Sequence, residues 1–330
     1  MSKNKKIVIT GGAGFIGSNL VHALNECGYH NIIIVDHMMG ARGERKRRNL
    51  VALQYSGFVE ADDFLQQIHM QDKTLGDIKV VFHLGARTDT AVKDKKFLLE
   101  NNTNYSKELF AFCIKNNCRI IYASSAATYG DGSQGYNDQK RNLKPLNYYG
   151  LSKYLFDEWV LDQKEKPPQW VGLKFFNVYG PNEYHKEFMA SVVYHGFQEI
   201  KKYGQIRLFK SYKAGYKDGE QKRDFIYVKD VVQIMLFFLN KENLNGIYNV
   251  GTGKARTFLD LANALFRALA QKPDIRFIDM PKEIKDKYQY FTEANISSLQ
   301  SACYKEKLYE LENGIFDYVR NYLIHLNIAD

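Results

Sequence analysis

The sequence predicts an α/β fold, a Rossmann-type doubly wound parallel sheet with a smaller substrate-binding lobe, and three observations predict it. Short β-branched runs alternate with amphipathic helical stretches, at Lys6 to Thr10, Ile32 to Val35, Val80 to Leu84, Arg119 to Ala123 and Val171 to Phe176. Strands separated by helices pair in parallel through right-handed crossovers, which places helices on both faces of one sheet. The first strand runs directly into Gly11-Gly-Ala-Gly-Phe-Ile-Gly17 and a helix from Phe15 to Leu24. After Pro181 the alternation loosens into a helix, Phe188 to Lys202, and a basic loop, Lys210 to Arg223, before strand character returns at Gly246 to Val250. Residues 1–178 and 224–253 are therefore assigned to a dinucleotide-binding domain, and residues 179–223 and 254–330 to the substrate-binding lobe.

The glycine turn is the most informative segment. Gly11 suits a tight turn, Gly14 lets the backbone approach phosphates, and Gly17 permits close helix–strand packing, while the helix N-terminus offers unpaired N–H groups and a favourable dipole to a pyrophosphate. A second strand ends in Asp36, about 20 residues on, where a carboxylate meets the adenine ribose. Together these point to a nicotinamide dinucleotide. Asp36 suits an unphosphorylated ribose, whereas Lys46 and its arginine neighbours can neutralise a 2′-phosphate; the expectation is NADP, with NAD as the alternative. Ligands of such sheets bind beyond the carboxyl ends of the strands, so the loops after Thr10, Asp36, Leu84, Ala123 and Phe176 should line one crevice.

Composition excludes several other classes. The 330 residues are 45% hydrophobic and 25% charged, which describes an ordinary globular protein. The net charge of +9 is mostly scattered lysine. Its one dense run, Arg42, Arg45, Lys46, Arg47 and Arg48, has no RNA-type aromatic motif or helix-turn-helix beside it, so no nucleic-acid partner is expected. The cysteines, Cys27, Cys113, Cys118 and Cys303, lack metal-ligand spacing and imply a reducing compartment, with no metal expected. The longest apolar stretch, Val231 to Leu239, is too short to span a bilayer, and the N-terminus carries no signal-peptide pattern; the expectation is a cytoplasmic protein without a membrane partner.

A second constellation carries chemistry. The fourth strand ends in Ser124-Ser-Ala-Ala-Thr-Tyr-Gly130, and a helix beginning near Tyr148 carries Tyr149-Gly-Leu-Ser-Lys153. Residues i and i+4 share a helix face, so an ammonium one turn from the phenol is expected to lower its pKa and to reach the nicotinamide ribose. Tyr149 is then a proton acceptor for a substrate hydroxyl that Ser125 holds. With 23 tyrosines in the chain, the spacing alone is common; its place after a serine-rich strand end and a dinucleotide turn gives it weight.

These residues, with Pro145 to Glu158, Phe176-Asn-Val-Tyr-Gly-Pro181, Met189-Ala-Ser-Val192 and Arg223-Asp-Phe-Ile-Tyr-Val228, resemble the extended short-chain dehydrogenase/reductase family of nucleotide-sugar epimerases and dehydratases, and within it the ADP-heptose 6-epimerases. The resemblance covers nearly the whole chain. It implies Tyr149 as one acid/base and Lys186 as the other, with Ser125 and Lys153 in support. It places cofactor contacts on Phe15, Ile16, Asp36, His37, Lys46, Leu84, Gly85, Ala86, Arg87, Thr88, Asn101, Lys153, Val178 and Lys186. Substrate contacts fall on Asn177, Phe188, His195, Phe209, Lys210, Ser211, Tyr212, Arg223 and Tyr288, with Arg223 gripping a pyrophosphate by charge-assisted hydrogen bonds. It also implies an ADP-heptose or related nucleotide-sugar substrate, a role in lipopolysaccharide precursor synthesis and a homo-oligomer, pentameric in this family. The chain departs from the pattern at Glu187-Phe188, where the family has Gly-Ser, at Ala61, where a basic residue is expected, and in a longer loop from Lys213 to Gln221.

Inversion at a carbon without an acidic proton requires passage through a ketone, and a ketone that turns over in the site needs an acid/base for each orientation. Tyr149 and Lys186 suit that requirement. A dehydratase would need an acidic residue after the strand-end serine, and Ala126-Ala127 supplies none. A nucleotide-hexose 4-epimerase is the alternative within the class, and a non-catalytic dinucleotide sensor the alternative outside it.

Overall fold

Five consecutive residues, Lys6–Thr10, form the central strand β1, four of them fully buried, because an apolar β-branched run can be covered on both faces only inside a parallel sheet. The computed structural model describes residues 3–90, 92–285 and 288–326, so the last four residues of the assigned substrate lobe lie outside it. β1 is followed by β2 (Ile32–Asp36), β3 (Gly57–Glu60), β4 (Ile78–His83), β5 (Arg119–Ser125), β6 (Trp170–Phe175), β7 (Asn177–Tyr179), β8 (Ile206–Phe209), β9 (Lys222–Arg223), β10 (Phe225–Tyr227), β11 (Gly246–Val250), β12 (Arg256–Thr257) and β13 (Ile275–Ile278). The main sheet is seven-stranded in the order β11-β6-β5-β4-β1-β2-β3, with every pairing parallel. This is the expected doubly wound architecture. The strand order reverses between β1 and β4, and sheets of this kind bind ligands beyond the carboxyl ends of the strands at such a switch point.

β3 is absent from the sequence reading. Its four residues sit at the sheet edge, too few for a periodic signal. The predicted helix from Phe188 to Lys202 is also corrected: the helix runs Val192–Tyr203, and Tyr184–Met189 is a kinked 3₁₀ segment. Two local causes separate them. Glu187 has φ 50° and ψ −128°, which no helix accepts. Ser191 then starts the helix afresh, its hydroxyl accepting from the Tyr194 N–H at 3.2 Å.

One face of the sheet is covered by the helices Phe15–Glu26 and Val228–Asn240, which bury Leu20, Val21, Leu24, Val231, Ile234, Met235 and Phe238. The other packs Phe64, Leu109, Phe110, Phe156 and Val160. A separate core joins the helices Val192–Tyr203, Phe258–Leu269 and Leu311–Asn321 around Phe197, Leu265, Ile315 and Tyr318. Phe15, Phe225, Tyr227 and Val228, which the sequence reading gives to the dinucleotide domain, belong to this second core. Three short strand pairs, β7 with β10, β9 with β12 and β8 with β13, form separate two-stranded sheets outside the main one.

Candidate active site

The glycine turn is built as the sequence implies. Gly11 has φ +69°, and a Cβ there would lie 2.7 Å from the Gly85 nitrogen, so β1 and the strand end of β4 touch backbone to backbone. A Cβ on Gly17 would fall 2.2 Å from the Gly11 carbonyl oxygen. The helix that follows starts at Gly14 with no side-chain cap and no acidic residue in its first turn, leaving N–H groups for an anion. The turn therefore fits a dinucleotide pyrophosphate. Phe15 is buried and Ile16 half-buried between the two cores.

Asp36 is already engaged. Its carboxylate accepts from the Ala13 N–H at 3.0 Å, from the His37 N–H at 2.8 Å and from the Lys46 ammonium at 2.6 Å. Lys46 also reaches the His37 carbonyl. The carboxylate is thus neutralised where a ribose 2′-substituent would arrive, and the ammonium stands beside it. Of the basic run, Arg45 pairs with Glu187 and Arg47 with Glu44, while the Arg42 side chain lies outside the described residues.

Beyond β4, Leu84, Gly85, Ala86, Arg87 and Thr88 form a half-buried loop. Four side chains that sequence reasoning missed, those of Thr10, His83, Ser106 and Asn102, hold it. Thr10 Oγ1 accepts from the Gly85 N–H at 3.1 Å and lies 2.7 Å from His83 Nδ1, whose Nε2 is 2.8 Å from Ser106 Oγ. Burial, and then the Lys153 charge, lower the His83 pKa to about 3, so this imidazole is a neutral strut. Asn102 accepts from the Arg87 N–H at 2.8 Å and donates to the Arg87 carbonyl and to Ser152 Oγ, both at 3.0 Å. That fastens the loop to the helix bearing Tyr149. Asn101, the expected contact, donates instead to Phe97 O within the π-helical stretch Leu99–Asn104.

The helix Tyr148–Asp162 starts at Asn147, whose side chain accepts from the Gly150 N–H at 2.8 Å. That cap sets Tyr149 in the first turn, with Lys153 one turn on. Ser125 ends β5, accepts from the Ala127 N–H at 3.1 Å and hydrogen-bonds the Tyr149 phenol, so the strand end and the helix meet at these two hydroxyls. The expected lowering of the phenol pKa is corrected. Burial raises it first, and the Asp157 charge raises it further, while the Ser125 hydrogen bond pulls it down. Lys153 does not aim at the phenol: its Nζ donates to the Ala123 carbonyl at 2.8 Å, and burial lowers its own pKa to about 8 despite the nearby Asp157.

Beneath them lies a buried polar set with no helical or strand periodicity to announce it. Asp157 accepts from Ser124 Oγ at 2.7 Å and lies 3.4 Å from Lys174 Nζ, which reaches Thr128 Oγ1 at 3.1 Å. All are nearly inaccessible.

The remaining predicted residues divide into two groups. Lys186 joins the cofactor turn, with its Nζ 5.4 Å from the Phe15 ring centroid and close to the buried Glu183 carboxylate. Glu183 itself accepts from Ser191 N and Oγ and from the Gly180 N–H, fixing where the segment ends. Asn177 is exposed, Val178 is half-buried, and Phe188 is 69% exposed.

Arg223 is buried under an aromatic wall: its guanidinium lies 5.1 Å from the Tyr288 ring and 5.7 Å from the Phe258 ring, and Phe209 meets Tyr288 at 6.3 Å. Burial lowers the Arg223 pKa, and the Tyr288, Tyr136 and Tyr216 phenols oppose it. Lys210 and Tyr212 do not join it; both bond Asp279, at 3.2 and 2.6 Å. Ser211 donates its N–H to Asp218, and His195 sits half-buried beside Tyr194. Asp224, next to Arg223, was missed: its carboxylate gathers the N–H groups of Thr252, Gly253 and Ala294 and so sets the loops around the wall. Among the described residues no cluster suited to a metal ion occurs, and no helix is long and apolar enough to cross a membrane.

The comparisons agree with this geometry. A protein of Fusobacterium nucleatum named ADP-L-glycero-D-manno-heptose-6-epimerase is 48% identical, covering 96% of this chain and 98% of its own. One of the same name from Nitratidesulfovibrio vulgaris is 47% identical, covering 96% and 97%. Among solved structures, the Helicobacter pylori ADP-L-glycero-D-manno-heptose-6-epimerase superposes with a TM-score of 0.83 at 29% identity over 98% of each chain. A UDP-N-acetylglucosamine 4-epimerase from Methanobrevibacter ruminantium also reaches 0.83, at 26% identity over 98% and 100%. Residues 7–251 match the NAD dependent epimerase/dehydratase family over its parallel sheet, glycine turn and Tyr149–Lys153 helix, and the chain belongs to that family.

Proposed function

We propose that this chain is an isomerase that inverts C6 of the heptose in ADP-D-glycero-D-manno-heptose. The observation that carries the reading is the meeting of Ser125, Tyr149 and Lys153 at the end of β5, beside a glycine turn on which Lys186 also lies. Full-length relatives bearing the heptose-epimerase name support the choice of sugar. When bound, the nicotinamide dinucleotide supplies reversible oxidation of the substrate carbinol. Tyr149 takes the proton from the substrate hydroxyl, Ser125 holds that hydroxyl, and Lys153, anchored on the Ala123 carbonyl, binds the cofactor ribose. Lys186 serves as the acid/base when the ketone presents its other face. Arg223, under Tyr288 and Phe209, receives the nucleotide pyrophosphate.

NMR of ADP-D-glycero-D-manno-heptose incubated with the purified protein, without added cofactor, should show the L-glycero isomer appearing. An unchanged heptose alongside turnover of a UDP-hexose at C4 would replace this reading with the 4-epimerase one. Unchanged spectra for both sugars would leave a dinucleotide-binding protein without this chemistry.

For the cofactor we favour NADP, because Lys46 neutralises Asp36 at the ribose end. Mass spectrometry of the denatured protein should therefore release mainly NADP(H). Release of NAD(H) alone would reverse the assignment and reduce Lys46 to a structural partner of Asp36. We also read residues 179–223 and 254–330 as the substrate lobe, supported by the second core, to which they contribute most of the side chains. The homo-oligomer that the family resemblance implies belongs to the same proposal, as does the cytoplasmic location read from the sequence, and sedimentation at the monomer mass would argue against the oligomer.

A further inference from the structure

Two elements meet across the glycine turn without being neighbours in sequence. On one side is the helix Gly40–Arg47, which carries Lys46, followed by Asn49. On the other is the segment from Pro181 to Glu187, which carries Lys186. Both are tied to the turn itself: the Asn49 amide reaches the carbonyls of Ala13 at 3.0 Å and Asn182 at 3.3 Å, Asn182 donates to Ser18 Oγ at 3.0 Å, and Asn19 donates to the Pro181 carbonyl at 2.9 Å. The two elements are then joined to each other by a pairing of Arg45 Nη2 with Glu187 Oε1 at 2.8 Å.

The backbone at that last contact is unusual. Glu187 holds φ 50° and ψ −128°, a conformation that an L side chain adopts only under constraint and that glycine would take freely. Its side chain is thereby directed to Arg45. The neighbouring residues on the same two elements, Lys46 at Asp36 and Lys186 over Phe15, are the ones placed at the two ends of the turn.

We propose that the Arg45–Glu187 pair is the closing contact of a clasp over the dinucleotide turn, slowing cofactor release and holding Lys186 in register. The inference rests on the reading that a dinucleotide occupies this turn. An anion seated on the uncapped helix start would border both elements, since Asn49 bonds Ala13 and Lys186 lies over Phe15 on either side of Gly14, and the pair between them holds that wall together. Both side chains of the pair are partly solvated, 42% and 59% exposed, which limits the effect to that of a surface ion pair.

The test follows release of NADPH by its fluorescence, with NADH run alongside, in wild type, Arg45→Met, Glu187→Gln, Glu187→Gly and the exchanged pair Arg45→Glu/Glu187→Arg. Arg45→Met and Glu187→Gln should each release the dinucleotide about two- to fivefold faster, the factor a surface ion pair supplies. The exchanged pair should recover most of the wild-type rate. Glu187→Gly should release faster without any fall in melting temperature, because it loses the pairing but relaxes the backbone; a merely structural pair would leave release unchanged in every variant and show only in the melting temperature of Arg45→Met and Glu187→Gln. Unchanged release in Arg45→Met and Glu187→Gln, or failure of the exchange to restore it, overturns the clasp. A wild-type protein that binds neither dinucleotide overturns the reading beneath it instead.

Discussion

Tyr149→Phe is expected to lower turnover by about 10² to 10⁴, the range for loss of one positioned acid/base group. The substitution removes a single oxygen from a ring set by the Asn147 cap, so the helix start and the Lys153 contact to Ala123 are preserved. Cofactor content should therefore stay at the wild-type level, and that measurement separates lost chemistry from lost folding. The phenol's pKa sharpens the argument. Burial and Asp157 hold it above its ordinary value, and only the Ser125 hydrogen bond offsets them in the protein alone. Ser125→Ala should then push the phenol further from the phenolate and reduce turnover while leaving Tyr149 in place. Near-normal turnover in Tyr149→Phe, measured by NMR of the heptose, would show that another group takes the proton.

What the sequence could and could not announce follows from the range of the forces involved. β1, β2, β4, β5 and β6 were legible because buried parallel strands are continuous apolar runs, and the glycine turn because Gly11 and Gly17 meet backbone that leaves no room for a Cβ. β3 and the two- to four-residue strands of the second lobe were not, since so few residues carry no period and their pairing is set by tertiary packing. Buried polar partners were invisible for a different reason. Asp157 and Lys174 lie on separate elements, and nothing local marks a charge whose counter-ion arrives from across the fold. His83, Asn102 and Asp224 belong with them. The Glu187 backbone did leave a trace, as a departure from the family's glycine at a position where the chain adopts glycine-like angles. The pKa expectation for Tyr149 failed because helix spacing places Lys153 on the right face but does not say which acceptor its ammonium finds.

Lys186→Met is the second variant with a large expected effect, and it tests the two-base scheme. The side chain lies over the Phe15 ring at 5.4 Å and near the Glu183 carboxylate, so its loss removes a partly exposed cation–π contact worth about 0.5–1 kcal/mol of stability together with the charge beside Glu183. A lysine with only that role would leave turnover intact. As the second acid/base, its removal should lower epimerisation by about 10² to 10⁴ while leaving cofactor bound and Tyr149 competent in one substrate orientation. The two halves of the reaction then come apart. An aldehyde analogue of the oxidised sugar, supplied with reduced cofactor, should still be reduced by Lys186→Met, because that step needs only the Tyr149 side of the crevice. Tyr149→Phe should be impaired in both assays if Tyr149 serves the orientation the analogue adopts. Full epimerisation by Lys186→Met would sink the two-base scheme and leave Tyr149 to serve both faces, the arrangement the 4-epimerase reading requires.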